Sequence, residues 1–234
     1  ELQQLSVHER INATTGNRVF PQRFPLQPGP FRLCHFEEQL ILIQGLNHST
    51  GRRVGVCPEI KTPAWHHAQD KDISAALIPL LTRYGYVGTA EPVIVQCFEA
   101  AELKRLRNEF RSELPLTQLI GLSSWNHANA DYPAMLTREG LADIATYADG
   151  IGPHLEQILA GMNPDGSARF TTLVSDAHDA GLKIHPYTFR ADALPAGVPD
   201  FATLIKLFSE SVQIEGLFTD HVDQVVAQLR ETSH

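Results

Sequence analysis

Glu59 and Lys61 place a carboxylate and an ammonium two residues apart, at the end of an apolar run over residues 53–60 that reads as a buried strand. Side chains alternate faces along a strand. Gly55, Cys57, Glu59 and Lys61 therefore share one face, and Val54, Val56, Pro58 and Ile60 the other. A carboxylate on an inner face is costly unless it is paired or binds a cation. Two readings stand side by side: an ion pair with Lys61, or a ligand for a hard divalent metal that leaves Lys61 free to meet an anionic substrate. One carboxylate does not hold a divalent ion by itself, so the second reading needs oxygen ligands from elsewhere.

Other polar and aromatic residues fall at similar places. Gln96 and Phe98 share a face at the end of residues 93–98, and Trp125 and Asn126 follow residues 117–122. His185, before Pro186, and Tyr187 end residues 182–187, while Phe218, Thr219 and Asp220 end residues 214–218. His185 is open between a hydrogen-bonded structural histidine and a site residue. Trp125 is open between the wall of a pocket and a cover over the end of the sheet. Asp220 is expected to N-cap the last helix, and the adjacent His66 and His67 to lie in a solvated loop. No Ser-His-Asp or Cys-His spacing is present, nor a GxGxxG or GxxxxGK[ST] phosphate turn.

The elements that must position these residues alternate. Helices are expected at residues 35–46, 73–85, around Leu103, Leu106 and Phe110, at 136–145, from Phe170 to Ala177, around Leu204 to Phe208, and over Val222, Val225, Val226 and Leu229. The six strands between them are residues 53–60, 93–98, 117–122, 149–152, 182–187 and 214–218. Strands alternating with amphipathic helices specify a parallel α/β sheet. Polar side chains collected at the C-terminal ends of several strands point to a (β/α)8 barrel rather than an open sheet, though only six βα units are visible. The first thirty residues, rich in turns and with prolines from Pro21 to Pro30, are expected to be irregular, and no domain boundary is drawn.

Composition bounds the partners. With 19 basic and 27 acidic residues the net charge is −8, which argues against nucleic acid or an anionic membrane surface. No run approaches the roughly 20 apolar residues of a membrane helix. Cys34, Cys57 and Cys97 have no metal-site or disulfide-framework spacing. Cys57 and Cys97 fall on opposite faces of their strands, so three free thiols are expected. The start, Glu1-Leu2-Gln3-Gln4, shows no signal peptide.

Val56-Cys57-Pro58-Glu59-Ile60-Lys61, Val95-Gln96-Cys97-Phe98, Tyr147-Ala148-Asp149-Gly150-Ile151-Gly152-Pro153, His185-Pro186-Tyr187-Thr188-Phe189-Arg190 and Gly216-Leu217-Phe218-Thr219-Asp220 together resemble the glycerophosphodiester phosphodiesterases, most closely the bacterial periplasmic type. Gln44-Gly45-Leu46-Asn47-His48-Ser49-Thr50-Gly51 fits the same branch. The resemblance runs over essentially the whole chain. It implies a (β/α)8 barrel and hydrolysis of small-molecule glycerophosphodiesters to sn-glycerol 3-phosphate and an alcohol. It also implies a divalent metal, calcium ahead of magnesium, and a periplasmic location. Glu59 is then a metal ligand and Lys61 a catalytic, phosphate-side cation. Gln96, Phe98, Trp125, His185, Arg190 and Phe218 become substrate-binding residues. A homodimer remains open.

The family's His-Arg-Gly motif, its Glu-x-Asp metal pair and its second catalytic histidine have no counterpart here, and His8-Glu9-Arg10 is not a substitute. The expectation is an N-terminally incomplete barrel, one domain over residues 1–234, inactive by itself. The alternative is a non-catalytic relative that binds glycerophosphodiesters or a partner.

Overall fold

The computed structural model describes residues 2–23, 30–125 and 130–231. Asn126, and most of the stretch from Pro21 to Pro30, lie outside the described residues. Contacts group the chain into two compact units, residues 1–54 and 55–234.

In the first unit the expected irregularity holds up to the helix. A 3-10 turn, Leu2–Gln4, is followed by isolated antiparallel bridges between Ser6 and Arg32 and between Ile11 and Arg18. Helix α1, Phe36–Thr50, starts where the Glu38 carboxylate accepts from the His35 amide at 2.8 Å. It ends at Gly51, whose φ of 67° is the left-handed turn that glycine adopts without strain. The Asn47 side chain then holds both the amide and the carbonyl of Val54, each at 2.8 Å.

The second unit is built on a parallel sheet of β1 (Val95–Cys97), β2 (Leu116–Ile120), β3 (Gly150–Pro153) and β6 (Lys183–Ile184), in that order. Parallel bridges extend it on both sides: Val56 to Val93 and Glu59 to Gln96 at one edge, Phe189 to Thr219 at the other. The six expected strand positions thus recur as neighbours in chain order, although residues 53–60 are only bridged, at Val56 and Glu59, and the last bridge, at Thr219, falls one residue past the expected 214–218. Pro58 has no amide hydrogen for a ladder. The fold is α/β, of the (β/α)-barrel class, with the C-terminal ends of all six segments on one side.

Helices α2 (Pro63–His67), α3 (Ile73–Arg83), α4 (Ala100–Asn108), α5 (Tyr132–Met135), α6 (Arg138–Ile144), α7 (Leu173–Asp179), α8 (Phe201–Ser211) and α9 (Val222–Glu231) complete the unit. Four begin at side-chain caps: Asp72 accepts from Ala75, Asp131 from Ala134, Thr137 from Gly140 and Asp200 from Thr203. β2 is buried at all five positions. It packs against α4, whose Leu103 and Leu106 are buried in the apolar core together with Leu141 and Ile144 of α6. Asp149 fixes its start by accepting from the Leu116 amide at 2.7 Å and from Arg107 at 2.5 Å.

Two expectations need correction. Phe170 does not open a helix; it ends the second strand of a hairpin, β4 (Leu159–Met162) against β5 (Ala168–Phe170), whose tip turns at Gly166 with φ 85°. The last helix has the expected span, but of its four apolar residues only Val225 is buried. No helix among the described residues is long and apolar enough to cross a membrane.

Candidate active site

The C-terminal ends of the strands enclose a cavity of about 340 Å³ lined by Glu59, Lys61, Gln96, Phe98, Tyr187 and Phe218, with Asp220 at its rim. Glu59 and Lys61 arrive together because they share a face, and their side chains pair at 2.7 Å. Lys61 is 75% exposed and Glu59 21%. The ammonium is therefore mostly hydrated, while the carboxylate faces the cavity wall. Thr62 takes a left-handed turn directly after Lys61, and Pro63 starts α2. The Glu99 carboxylate accepts from the Ala64 amide at 3.1 Å, tying the chain beyond Lys61 to the chain beyond Phe98. Sequence reasoning did not single out Glu99, since the pairing spans 35 residues.

Gln96 stands beside Glu59 in register. It is 7% exposed, and its Oε1 is buried with no hydrogen-bond partner. Phe98 lies edge-on to Tyr187 at 5.9 Å and to Tyr132 at 6.4 Å between ring centroids. The Tyr187 hydroxyl donates to the Ile120 carbonyl at 2.9 Å, and burial pushes its phenol pKa up. Behind the end of β1 a buried amide does the positioning. Gln118 donates to the Phe98 and Leu119 carbonyls, each at 2.9 Å, and accepts from the Tyr147 hydroxyl at 3.0 Å.

The remaining candidates separate. Trp125, half exposed, packs on His154 and Tyr187 at 5.6 and 6.3 Å, outside the lining of the cavity. Arg190 donates from Nε to Asp220 at 2.7 Å. Asp220 therefore faces Arg190, and in the first turn of α9 the His221 carbonyl accepts from the Val225 amide. His185 belongs to a second cavity of about 440 Å³ at the opposite ends of the strands, with Gly55, Cys57, Thr117, Gly150 and Lys183. Burial lowers its pKa, and its Nδ1 has no hydrogen-bond partner. The structure thus brings Glu59, Lys61, Gln96, Phe98 and Phe218 together, sets Trp125 and Arg190 around them, and leaves His185 apart.

His66 and His67 end the short helix α2 instead of lying in a free loop. His67, Asp72 and Glu102 could offer ligand atoms within 4.8 Å of one another. The Arg105 guanidinium lies against all three, bonding both Asp72 oxygens, Glu102 at 2.9 Å and the His67 ring at 3.0 Å. The positive charge this group calls for is already Arg105's. The lining of the mouth includes the carboxylates of Glu59 and Asp220, oxygen donors of the kind that suits calcium or magnesium, and each is likewise paired with a cation at 2.7 Å, Lys61 and Arg190.

Residues 1–224 match the model of the glycerophosphoryl diester phosphodiesterase family. The chain is 34% identical over 248 aligned residues to a glycerophosphodiester phosphodiesterase of Haemophilus influenzae, covering 98% of this chain and 68% of that protein. It is 32% identical over 242 residues to a protein of the same name from Treponema pallidum, covering 95% and 68%. Among solved structures, a glycerophosphoryl diester phosphodiesterase candidate from Silicibacter pomeroyi superposes with a TM-score of 0.65 at 20% identity. That match covers 92% of this chain, which spans 63% of that structure's length. A glycerophosphodiester phosphodiesterase from Parabacteroides distasonis gives 0.56 at 13%, covering 97% and 78%. Both structures share the fold. The chain belongs to the glycerophosphoryl diester phosphodiesterase family.

Proposed function

We propose that this chain forms the C-terminal mouth of a metal-dependent phosphodiesterase that hydrolyses glycerophosphodiesters to sn-glycerol 3-phosphate and an alcohol, in the periplasm. The observation that carries the proposal is the single cavity in which a carboxylate, an ammonium, a carboxamide and aromatic rings converge from neighbouring strands. Family membership and the names of its relatives support the reaction class.

Glu59, with Asp220 near it, would hold a divalent cation, calcium before magnesium. When bound, that ion supplies charge to the phosphoryl oxygens. Lys61 meets the same oxygens from the solvent side. Its present bond to Glu59 is an exposed one, worth little, so the ammonium can leave it for a phosphate without a large cost. Phe98 and Phe218 give the organic portion an apolar wall and exclude water around it. The Gln118 amide keeps Phe98 in place from behind.

The test is release of sn-glycerol 3-phosphate from glycerophosphocholine by the natural protein carrying this chain, with calcium and with EDTA. Glu59→Gln and Lys61→Met are run alongside. Calcium-dependent release lost in both variants is expected. Release that survives EDTA and both substitutions overturns the proposal.

A further inference from the structure

The side chain of Lys61 is 75% exposed, and its ammonium rests on Glu59 in a surface pair that is worth little. A long, mobile side chain delivers its charge to one place only if the backbone that carries it is fixed. The next residue makes that demanding. Thr62 is β-branched yet holds φ 45° and ψ 53°, a conformation such residues keep only where their surroundings enforce it. Lys61 and Thr62 are both exposed, so their own side chains do not supply the enforcement.

Residues 97–99 supply it from the neighbouring strand end. On one side of the turn, Cys97 Sγ donates to the Ile60 carbonyl at 3.1 Å. On the other, the Glu99 carboxylate accepts from the Ala64 amide at 3.1 Å. Lys61, Thr62 and Pro63 are the residues between these two points. The Glu99 amide also donates to Cys97 Sγ at 3.3 Å, which joins the two holds. The Cys97 thiol is fully buried, and burial pushes its pKa up to about 12, so it keeps the proton that its bond to Ile60 needs. Glu99 stands at the N-cap position of α4, yet its side chain makes no bond to that helix. It is longer than the residues that cap best, and it reaches the second residue of α2 instead.

We infer that Cys97 and Glu99 are positioning residues that bracket the turn carrying Lys61 and so set where its ammonium meets the phosphate. This rests on the phosphodiester reading above. Neither residue lines the cavity; both act through Lys61.

The probe is sn-glycerol 3-phosphate, titrated calorimetrically with calcium present into the natural protein carrying this chain. Lys61→Met should weaken binding about tenfold or more, the scale of a hydrogen bond to a charged group. Glu99→Ala should weaken it about threefold, half of that interaction in free energy, with a nearly unchanged melting temperature because the bond it removes is at the surface. Glu99→Gln keeps an acceptor oxygen of the same reach and should recover most of the loss. Cys97→Ala should weaken binding as Glu99→Ala does, and Cys97→Ser, whose hydroxyl still donates, should do so less. Cys97→Val, which fills the space without a donor, takes the place of the Ala variant if that one does not fold. Combined with Lys61→Met, neither Glu99→Ala nor the Cys97 variant should weaken binding further, since no ammonium is left to position.

Losses that add in the double variants overturn the inference, and so does wild-type affinity in Glu99→Ala and the Cys97 variant. Binding by Glu99→Gln as weak as by Glu99→Ala also overturns it, because the effect then belongs to the charge and not to the bond. Each of these leaves the phosphodiester reading standing. Failure of the wild-type protein to bind the ester overturns both.

Discussion

The Tyr147 hydroxyl donates to Oε1 of Gln118 at 3.0 Å, and the same amide's nitrogen donates to the carbonyls of Phe98 and Leu119. Gln118 is fully buried and Tyr147 nearly so. The network therefore clamps the end of β1, which carries Phe98 and Gln96, to β2 without any contact with solvent. Gln118→Leu strands three buried groups and should cost about 2–3 kcal/mol, against about 1 kcal/mol for Tyr147→Phe. Urea unfolding of both single variants and the double variant checks this. Additive losses would show that the two residues do not act as one network.

Glu59 and Lys61 should respond unequally. With Lys61 mostly exposed, their pair contributes no more than about 1 kcal/mol, so Lys61→Met should barely shift the unfolding midpoint. Glu59→Gln should likewise keep the fold but lower calcium affinity about tenfold or more, since a carboxylate ligand becomes a neutral one. Calcium calorimetry together with melting of the apo variants reads both quantities. Wild-type calcium affinity in Glu59→Gln would remove it from the ligand set.

Acid should weaken the fold first through two half-buried histidines. Burial lowers the pKa of His185 and of His154. The folded state thus binds fewer protons than the unfolded one as pH falls past the ordinary histidine value, about 6.5. Their contribution is complete above that value and is lost as pH drops towards the folded pKa values. Melting temperature should decline from about pH 7 to 5, and His185→Leu should flatten part of that decline. A second loss belongs to Asp72, held down to about 2 chiefly by its Arg105 hydrogen bonds. It starts below about pH 4, the ordinary aspartate value, and should be absent in Asp72→Asn. A melting temperature flat from pH 7 to 5 would contradict the histidine assignment.

The thiols should fall into two classes. Cys34 is exposed, whereas burial pushes the Cys57 and Cys97 thiols up to about 12. The Cys97 thiol also donates to the Ile60 carbonyl at 3.1 Å. Because the thiolate is the reactive form, a colorimetric thiol reagent should label one site quickly in the native protein and three after denaturation. Fewer than three in the denatured, unreduced protein would reveal a disulfide.

The alternation of apolar runs made the six-strand α/β pattern readable, because each run is long enough to show its period. Face alternation also brought Glu59, Lys61, Gln96 and Phe98 to one cavity. The same rule left His185 open between a structural role and a site one. It shares the inward face with Tyr187, but lies two residues nearer the start of its strand, which is enough to put it in the opposite cavity. Periodicity names a face and not a depth. The Arg105 cluster and Glu99 were invisible for another reason: His67 and Asp72 lie more than 30 residues from Arg105, as Ala64 does from Glu99, and only the folded chain brings them near. The β4–β5 hairpin was missed because its strands are three and four residues long, too short for a period to register.

That hairpin pairs only with itself, in a sheet separate from the parallel one. Its tip closes locally, through the Asn163 amide on the Ser167 carbonyl at 2.8 Å and the Asp165 carboxylate on the Ser167 hydroxyl at 2.6 Å. Strain introduced at residues 164–166 therefore has no ladder along which to reach β3 or β6. A fluorophore, an affinity handle or an inserted peptide placed there leaves the register of the parallel strands untouched, which makes the tip a port for instrumenting the protein.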